Sequence, residues 1–278
     1  MGKRIIWSMW LLMLAGIFIV KCWKEFRIEK KEPVVMAGSA AMETFVEALT
    51  ELADKNGIEI KPQYIGSSAG VEALLKGSSE IALVSRELTQ EEKDKGVVGQ
   101  VVAYDGIIII VNLQNNVKNL SREQIREVFT GKISNWRELG GKDEPIVVIG
   151  REYGSGTRTS FEKLLSIEEK TKYSNECDSI GVVKAKVALI KGAIGYVSLE
   201  VAVEEEAKVK VISVNQIMPD KKMIEQRKYE LVRPFIFATM GEVGQQEANV
   251  QKIFKLLNSR QGELVFEKAG VVSATEGE

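Results

Sequence analysis

The 278-residue sequence contains no histidine. That zero excludes Ser-His-Asp and Cys-His nucleophile systems, HExxH zinc sites and imidazole general bases together. Cysteine is nearly as scarce: Cys22 and Cys177 are the only two, too few for a zinc cluster or a disulfide framework. Positive charge is not in excess either. There are 38 Lys/Arg against 39 Asp/Glu, and residues 1–32 hold seven of the basic residues against three Glu. The rest of the chain therefore carries 31 basic and 36 acidic residues, a net charge of −5, which argues against a nucleic-acid partner. No GxxxxGK[ST] phosphate loop is present, and no period of 20 to 50 residues repeats, which excludes solenoids and propellers. What is present is globular in composition, 45% hydrophobic and 28% charged, and long enough for two lobes of about 100–150 residues each.

Residues 1–32 read as a signal or membrane-anchor segment and a charged tether. Lys3 and Arg4 precede sixteen uncharged residues from Ile5 to Val20, after which Lys21, Lys24 and Arg27 restore the charge. The run is slightly long for a signal-peptide core and slightly short for a span of ~20 residues. Two attachments stay open: an uncleaved anchor, and a lipid on Cys22, which has Lys21 in place of the small residue that lipobox processing expects. Either places the body outside the cytoplasm, attached to the cell membrane.

From Pro33 onward short β-branched runs alternate with amphipathic stretches, the pattern of an α/β fold. Strands are expected at PVVMAG, EIKPQYIG, IALVS, VVAYDGIIIIVN, PIVVIGRE, GAIGYVSLE and YELVRPFIFATM. The uninterrupted IIIIV predicts a strand buried on both faces. Helices are expected over residues 42–55, with Phe45, Leu49 and Leu52 on one face, over 71–76, from Ser121 as cap, over 157–165, and as a tail over 249–268.

One construction occurs three times: a strand ends in Gly-Ser and a helix begins at once. The copies are Gly38-Ser39, Gly66-Ser67-Ser68 and Gly154-Ser155-Gly156-Thr157. Glycine lets the backbone turn closely, Ser and Thr supply hydroxyls, and the free N–H groups of the first helical turn face outward, so each is a small anion seat. Ordinary helix capping accounts for any one of them alone. Arginines stand nearby: Arg86 after the third strand, Arg151 and Arg158 around the third turn, and guanidinium forks fit tetrahedral oxyanions. Arg158, early in its helix, is expected to face solvent. GSSAG also fits the G-x-S-x-G nucleophile elbow with Ser68 at its centre, but without histidine that serine has no evident base, and no enzymatic activity is expected.

The segments GSSAGVEALLKG, SREL, DGIIIIVN, FTGKISNWRELGG, REYGSGTRTSFE, GAIGYV and YELVRPFIFATMGE resemble the phosphate-binding proteins of bacterial phosphate-specific ABC transporters, in their shorter-chain branch. The resemblance covers roughly residues 34–272. It implies a two-lobed class II periplasmic-binding-protein fold, each lobe a central β-sheet flanked by helices and the two joined by crossing hinge strands. With crossings at DGIIIIVN and YELVRPFIF, residues 33–112 plus 229–278 form one lobe and 113–228 the other. It also implies inorganic phosphate as ligand, the transporter's permease and ATPase subunits as partners, a monomer, and no cofactor.

Residue by residue, the resemblance carries a ligand role onto Ser67, Arg151, Ser155, Gly156 and Thr157, with Ser39, Ala40 and Ala41 at the first turn and Arg86 and Asp105 completing the set. Phosphate near neutral pH keeps a proton that Asp105 could accept, whereas sulfate has none to give. The competing role for Asp105 is an ion pair with Arg86 that ties strands together. The first turn departs from the family pattern, reading GSAAMETF where a hydroxyl is usual. A lost hydrogen bond to a charged group, worth about 1.5–3 kcal/mol, predicts affinity roughly 10- to 150-fold weaker unless Ser39 substitutes. The same departure leaves two alternatives: a receptor for another oxyanion or a phosphorylated solute, and a non-transporting surface sensor or partner-binding module.

Overall fold

Alternation of strand and helix holds along the body. The computed structural model describes residues 32–203 and 208–274, so the expected anchor and Cys22 lie outside the described residues. The chain runs β1 (Val34–Gly38), a 3-10 turn (Ala40–Met42), α1 (Glu43–Lys55), β2 (Ile60–Gln63), α2 (Ser67–Leu75), β3 (Ile81–Val84), α3 (Gln90–Asp94) and β4 (Val97–Asn112). It continues through β5 (Asn119–Leu120), α4 (Arg122–Phe129), β6 (Val147–Arg151), α5 (Gly156–Leu165), β7 (Asn175–Cys177), α6 (Ile180–Leu189), β8 (Ala193–Ser198) and α7 (Leu199–Val203). After β9 (Val209–Val211), β10 (Ser213–Val214) and α8 (Lys221–Glu225) come β11 (Val232–Met240), α9 (Ala248–Leu257), α10 (Arg260–Lys268) and β12 (Val272–Ser273). The expected single helical tail is two helices, because Ser259 caps a new start: its hydroxyl accepts from the Gly262 N–H.

The main sheet has the order β2-β1-β3-β11-β4-β8-β6-β7, with β9 and β12 also paired to β4. Strands β2, β1 and β3 run parallel, as do β8, β6 and β7, while β11 and β4 lie antiparallel between the two groups. Strand β4 serves both halves. Its first part pairs with β11, where Asp105 faces Arg233 and Gly106 faces Val232, and Ile107–Val111 then pair with β8. The apolar core changes at the same place: Val102 and Ala103 pack with Phe45, Phe235 and Phe237, whereas Ile107 to Val111 pack with Phe129, Phe161 and Tyr196. The IIIIV run is fully buried, as its lack of alternation predicts. The Tyr229 hydroxyl donates to the Ile107 carbonyl at 2.8 Å and the Ile107 N–H to the Leu231 carbonyl at 2.7 Å, which ties the two crossing segments together.

The FTGKISNW motif has a structural function. The Asn135 side chain caps the 3-10 turn Trp136–Leu139, and the buried Trp136 indole N–H donates to the Gly192 carbonyl at 2.8 Å, anchoring the start of β8. Among the described residues no helix is long and apolar enough to cross a membrane.

Candidate anion site

In open α/β sheets the crevice for a ligand opens at the carboxyl ends of parallel strands. Here β1 is followed by Ser39, β3 by Ser85, and the loop after β2 delivers Ser67 as the first residue of α2. Their hydroxyls form a buried chain: Ser39 Oγ to Ser85 Oγ at 2.8 Å and Ser85 Oγ to Ser67 Oγ at 3.5 Å, with the Ser85 N–H donating to Ser67 Oγ at 3.2 Å. Ser39 Oγ also accepts from the Ala41 N–H at 3.2 Å, capping the turn that contains Ala40 and Ala41.

The other half of the sheet presents its own strand end. Strand β6 finishes at Arg151, and Ser155 caps α5, whose first residues are Gly156 and Thr157, all three buried. Gly156 lies directly against the serine chain, since a Cβ there would fall 2.1 Å from Ser67 Oγ and 2.6 Å from Ser85 Oγ. Two hydrogen bonds fasten the same contact: Ser160 Oγ donates to the Ser85 carbonyl at 2.9 Å, and the Ser68 N–H to the Gly154 carbonyl at 3.3 Å. All three Gly-Ser seats therefore converge on one locus.

The arginines differ in how fully they are occupied. Arg151 is buried and directs Nε and Nη2 to the Glu152 carboxylate at 2.9 and 3.0 Å and to the carbonyls of Cys177 and Asp178. Its Nη1 has no protein partner among the described residues. Arg86 instead grips both oxygens of Glu92, at 2.9 and 2.6 Å, and donates to the Glu87 carbonyl and Ser68 Oγ, so its four Nη N–H groups are taken up. Burial alone would raise the Glu92 carboxyl, but hydrogen bonds from Arg86 and Thr89 hold it below the ordinary carboxylate range.

Two expectations are corrected. Asp105 pairs with Arg233, not Arg86. Asp105 Oδ2 accepts from Arg233 Nε at 3.0 Å and Nη2 at 2.7 Å, and Oδ1 accepts from the Leu199 N–H at 3.3 Å. The cause is register: these two residues are directly opposed in the β4–β11 ladder, while the Arg86 guanidinium is engaged by Glu92 of α3. Burial pushes the Asp105 carboxyl up, against the opposing pull of the Arg233 charge. Arg233 Nη1 donates to Thr157 Oγ1. Arg158, expected in solvent, is largely covered: it bonds Glu162 and Glu176 at 2.9 Å each, reaches the Arg151 carbonyl at 3.1 Å and stacks over Tyr173.

Sequence reasoning missed Ser85 and Arg233. Ser85 had a legible signal, a hydroxyl at the end of a parallel strand beside two other such ends. Arg233 had a weaker one, a lone charge in the otherwise uncharged run VRPFIFATM. At the elbow serine, the Ser68 hydroxyl accepts from Arg86 Nη2 at 3.4 Å.

The family described as "PBP superfamily domain" matches residues 28–251. The phosphate-binding protein PstS of Bacillus subtilis is 33% identical over 205 residues, 71% of this chain and 67% of that protein. The chain belongs to the PstS family. PstS of Borreliella burgdorferi is 27% identical over 271 residues, 94% of this chain and 95% of its own length. A solved structure from Clostridium perfringens, described as a phosphate ABC transporter substrate-binding protein with bound phosphate, is 33% identical with a TM-score of 0.81. It covers 87% of this chain and 100% of its own. The two-lobed class II fold expected from the sequence is thus the fold of this PstS-family member.

Proposed function

We propose that the protein captures inorganic phosphate between its two lobes and delivers it to an ABC-type importer. The observation that carries this reading is the meeting of three hydroxyl-bearing seats from both halves of the sheet beside the buried Arg151, whose Nη1 has no partner among the described residues. The relatives described as phosphate-binding support the choice of anion. Phosphate is held by Ser39 and Ser67, by backbone N–H groups of Ala40 and Ala41, and by Arg151, Ser155, Gly156 and Thr157. Capture exchanges the existing serine–serine bonds for charge-assisted ones, which are roughly twice as strong. Arg86 braces α3, and Asp105 orients Arg233. The lobes divide at the change of core, which falls between Ala103 and Ile107 on β4 and between Val232 and Phe235 on β11, in place of the expected boundaries after residue 112 and before residue 229. Closure about the two crossing segments completes the ligand contacts.

The protein works as a monomer outside the cytoplasm, attached to the membrane by its N-terminal segment, either as an uncleaved anchor or through a lipid on Cys22. Permease and ATPase subunits of the importer are its partners. Calorimetry of the full chain in detergent, stripped of carried-over ligand, tests the reading. Tight phosphate binding with no sulfate response is expected, and silence toward phosphate in a folded sample would overturn it and turn the search to other oxyanions. Arg151→Ala and Thr157→Val are each expected to weaken phosphate binding roughly 10- to 150-fold without unfolding the body. Unchanged affinity in both would remove this site.

A further inference from the structure

A guanidinium has five N–H donors, and a buried one normally has all of them satisfied. Arg233 is fully buried yet uses only three: Nε and one Nη2 proton on Asp105, and one Nη1 proton on Thr157. One N–H on each Nη therefore has no acceptor among the described residues, and the side chain has no exposed surface. One of them is on Nη1, the nitrogen that donates to Thr157 Oγ1, and Thr157 is the second residue of α5, at the seat built by Ser155 and Gly156. Arg151 is close enough to act on Arg233 as a like charge. Two guanidiniums with spare donors thus share one locus. Arg86, by contrast, has its Nη groups filled by Glu92, Glu87 and Ser68.

We propose that Arg233 is a ligand-contacting residue of the anion site, with Asp105 as the carboxylate that orients it. The proposal rests on the phosphate reading above and adds a contact from β11, the strand that crosses between the lobes. Asp105 fixes the side edge of the guanidinium, which leaves the remaining N–H groups for a tetrahedral oxyanion entering beside Thr157. A planar fork with two free donors suits such an anion better than a lysine ammonium would.

The test is phosphate calorimetry on the full chain, with melting temperature recorded in parallel. Arg233→Met leaves Asp105 buried without its partner, so the charge-neutral double variant Arg233→Met/Asp105→Asn accompanies it. Both are expected to bind phosphate roughly 10- to 150-fold more weakly, while the double variant regains melting temperature relative to Arg233→Met. Arg233→Lys keeps the charge and the pair with Asp105 but loses the fork, and is expected to lose at least about tenfold. For the orienting role, Asp105→Asn, which keeps an acceptor for the guanidinium, is expected to bind more tightly than Asp105→Ala; equal affinities would overturn that role. Wild-type affinity in the folded double variant, or in Arg233→Lys, overturns the contact while leaving the phosphate reading intact. A wild-type protein that ignores phosphate overturns both.

Discussion

Gly156 sits where a side chain would collide with the opposing lobe. Its backbone is helical, so a substitution there is resisted by the neighbours and not by φ and ψ. An alanine Cβ would meet Ser67 Oγ at 2.1 Å, Ser85 Oγ at 2.6 Å and Ser67 Cβ at 2.9 Å, and the hydroxyls that would have to move are themselves bonded to Ser39 and to the Ser85 backbone. Overpacking of this kind costs about 1–3 kcal/mol. Because the overlap exists only when the lobes meet, the cost falls on closure and leaves each lobe's own core untouched. Gly156→Ala is therefore expected to weaken phosphate binding roughly 5- to 150-fold with little change in the melting temperature of the ligand-free protein. Titration calorimetry and a thermal melt check the two halves of that statement, and a variant that binds as wild type would show that the contact relaxes at no cost. The serine chain also bears on the first turn, where Ala40 and Ala41 carry no hydroxyl. Ser85, bonded to Ser39, places a third hydroxyl beside that turn, so the seat is less depleted than its own sequence indicates.

Among the elements, α3 shows how a charge is tied to local structure. Thr89 and Glu92 form a reciprocal capping box at its start, and the same Glu92 carboxylate takes both Nη groups of Arg86. The folded-state Glu92 value is depressed, so its stabilisation is present above the ordinary carboxylate value of about 4.3 and is lost as pH falls through the lower folded value. Glu92→Gln is expected to cost about 1–3 kcal/mol near neutral pH, and the gap to wild type should shrink below about pH 4.3. Urea midpoints across that range check it; a gap that stays constant would mean the charge is not what matters. Other elements differ in how plainly the sequence announces them. The buried IIIIV of β4, the Phe45–Leu49 face of α1 and the capping serine of α4 are local patterns, and they were legible. Helix α6 was not, because Val182 and Leu189 are exposed apolar residues that blur the periodicity set by Ile180, Val183 and Val187. The three Gly-Ser seats were legible for the same local reason. The arginine assignments were not, since whether a guanidinium is free or occupied depends on cross-strand register between residues as distant as Asp105 and Arg233, 128 positions apart.

At the scale of the whole molecule, one sheet runs through both lobes, and β4 and β11 carry every crossing between its two parallel groups. Hydrogen bonds at Ile107, Tyr229 and Leu231 fix the crossing point, while the anion seats lie at strand ends on either side of it. A ligand held by both sides therefore stabilises a state that neither lobe reaches alone. Binding to the folded state only adds RT ln(1 + [L]/Kd), about 2.7 kcal/mol at a hundredfold excess over Kd. For a body of this size each kcal/mol shifts the midpoint by about 2–4 °C. Phosphate at that excess is thus expected to raise the melting temperature by about 5–11 °C, in a single transition, because the shared strands make the two cores unfold together. Sulfate at the same concentration is expected to leave the midpoint within about a degree of the ligand-free value, as free ligand far below its Kd contributes almost nothing. Differential scanning calorimetry reads both quantities in one experiment. A phosphate shift confined to one of two resolved transitions would place the ligand on a single lobe and remove closure from the account of binding.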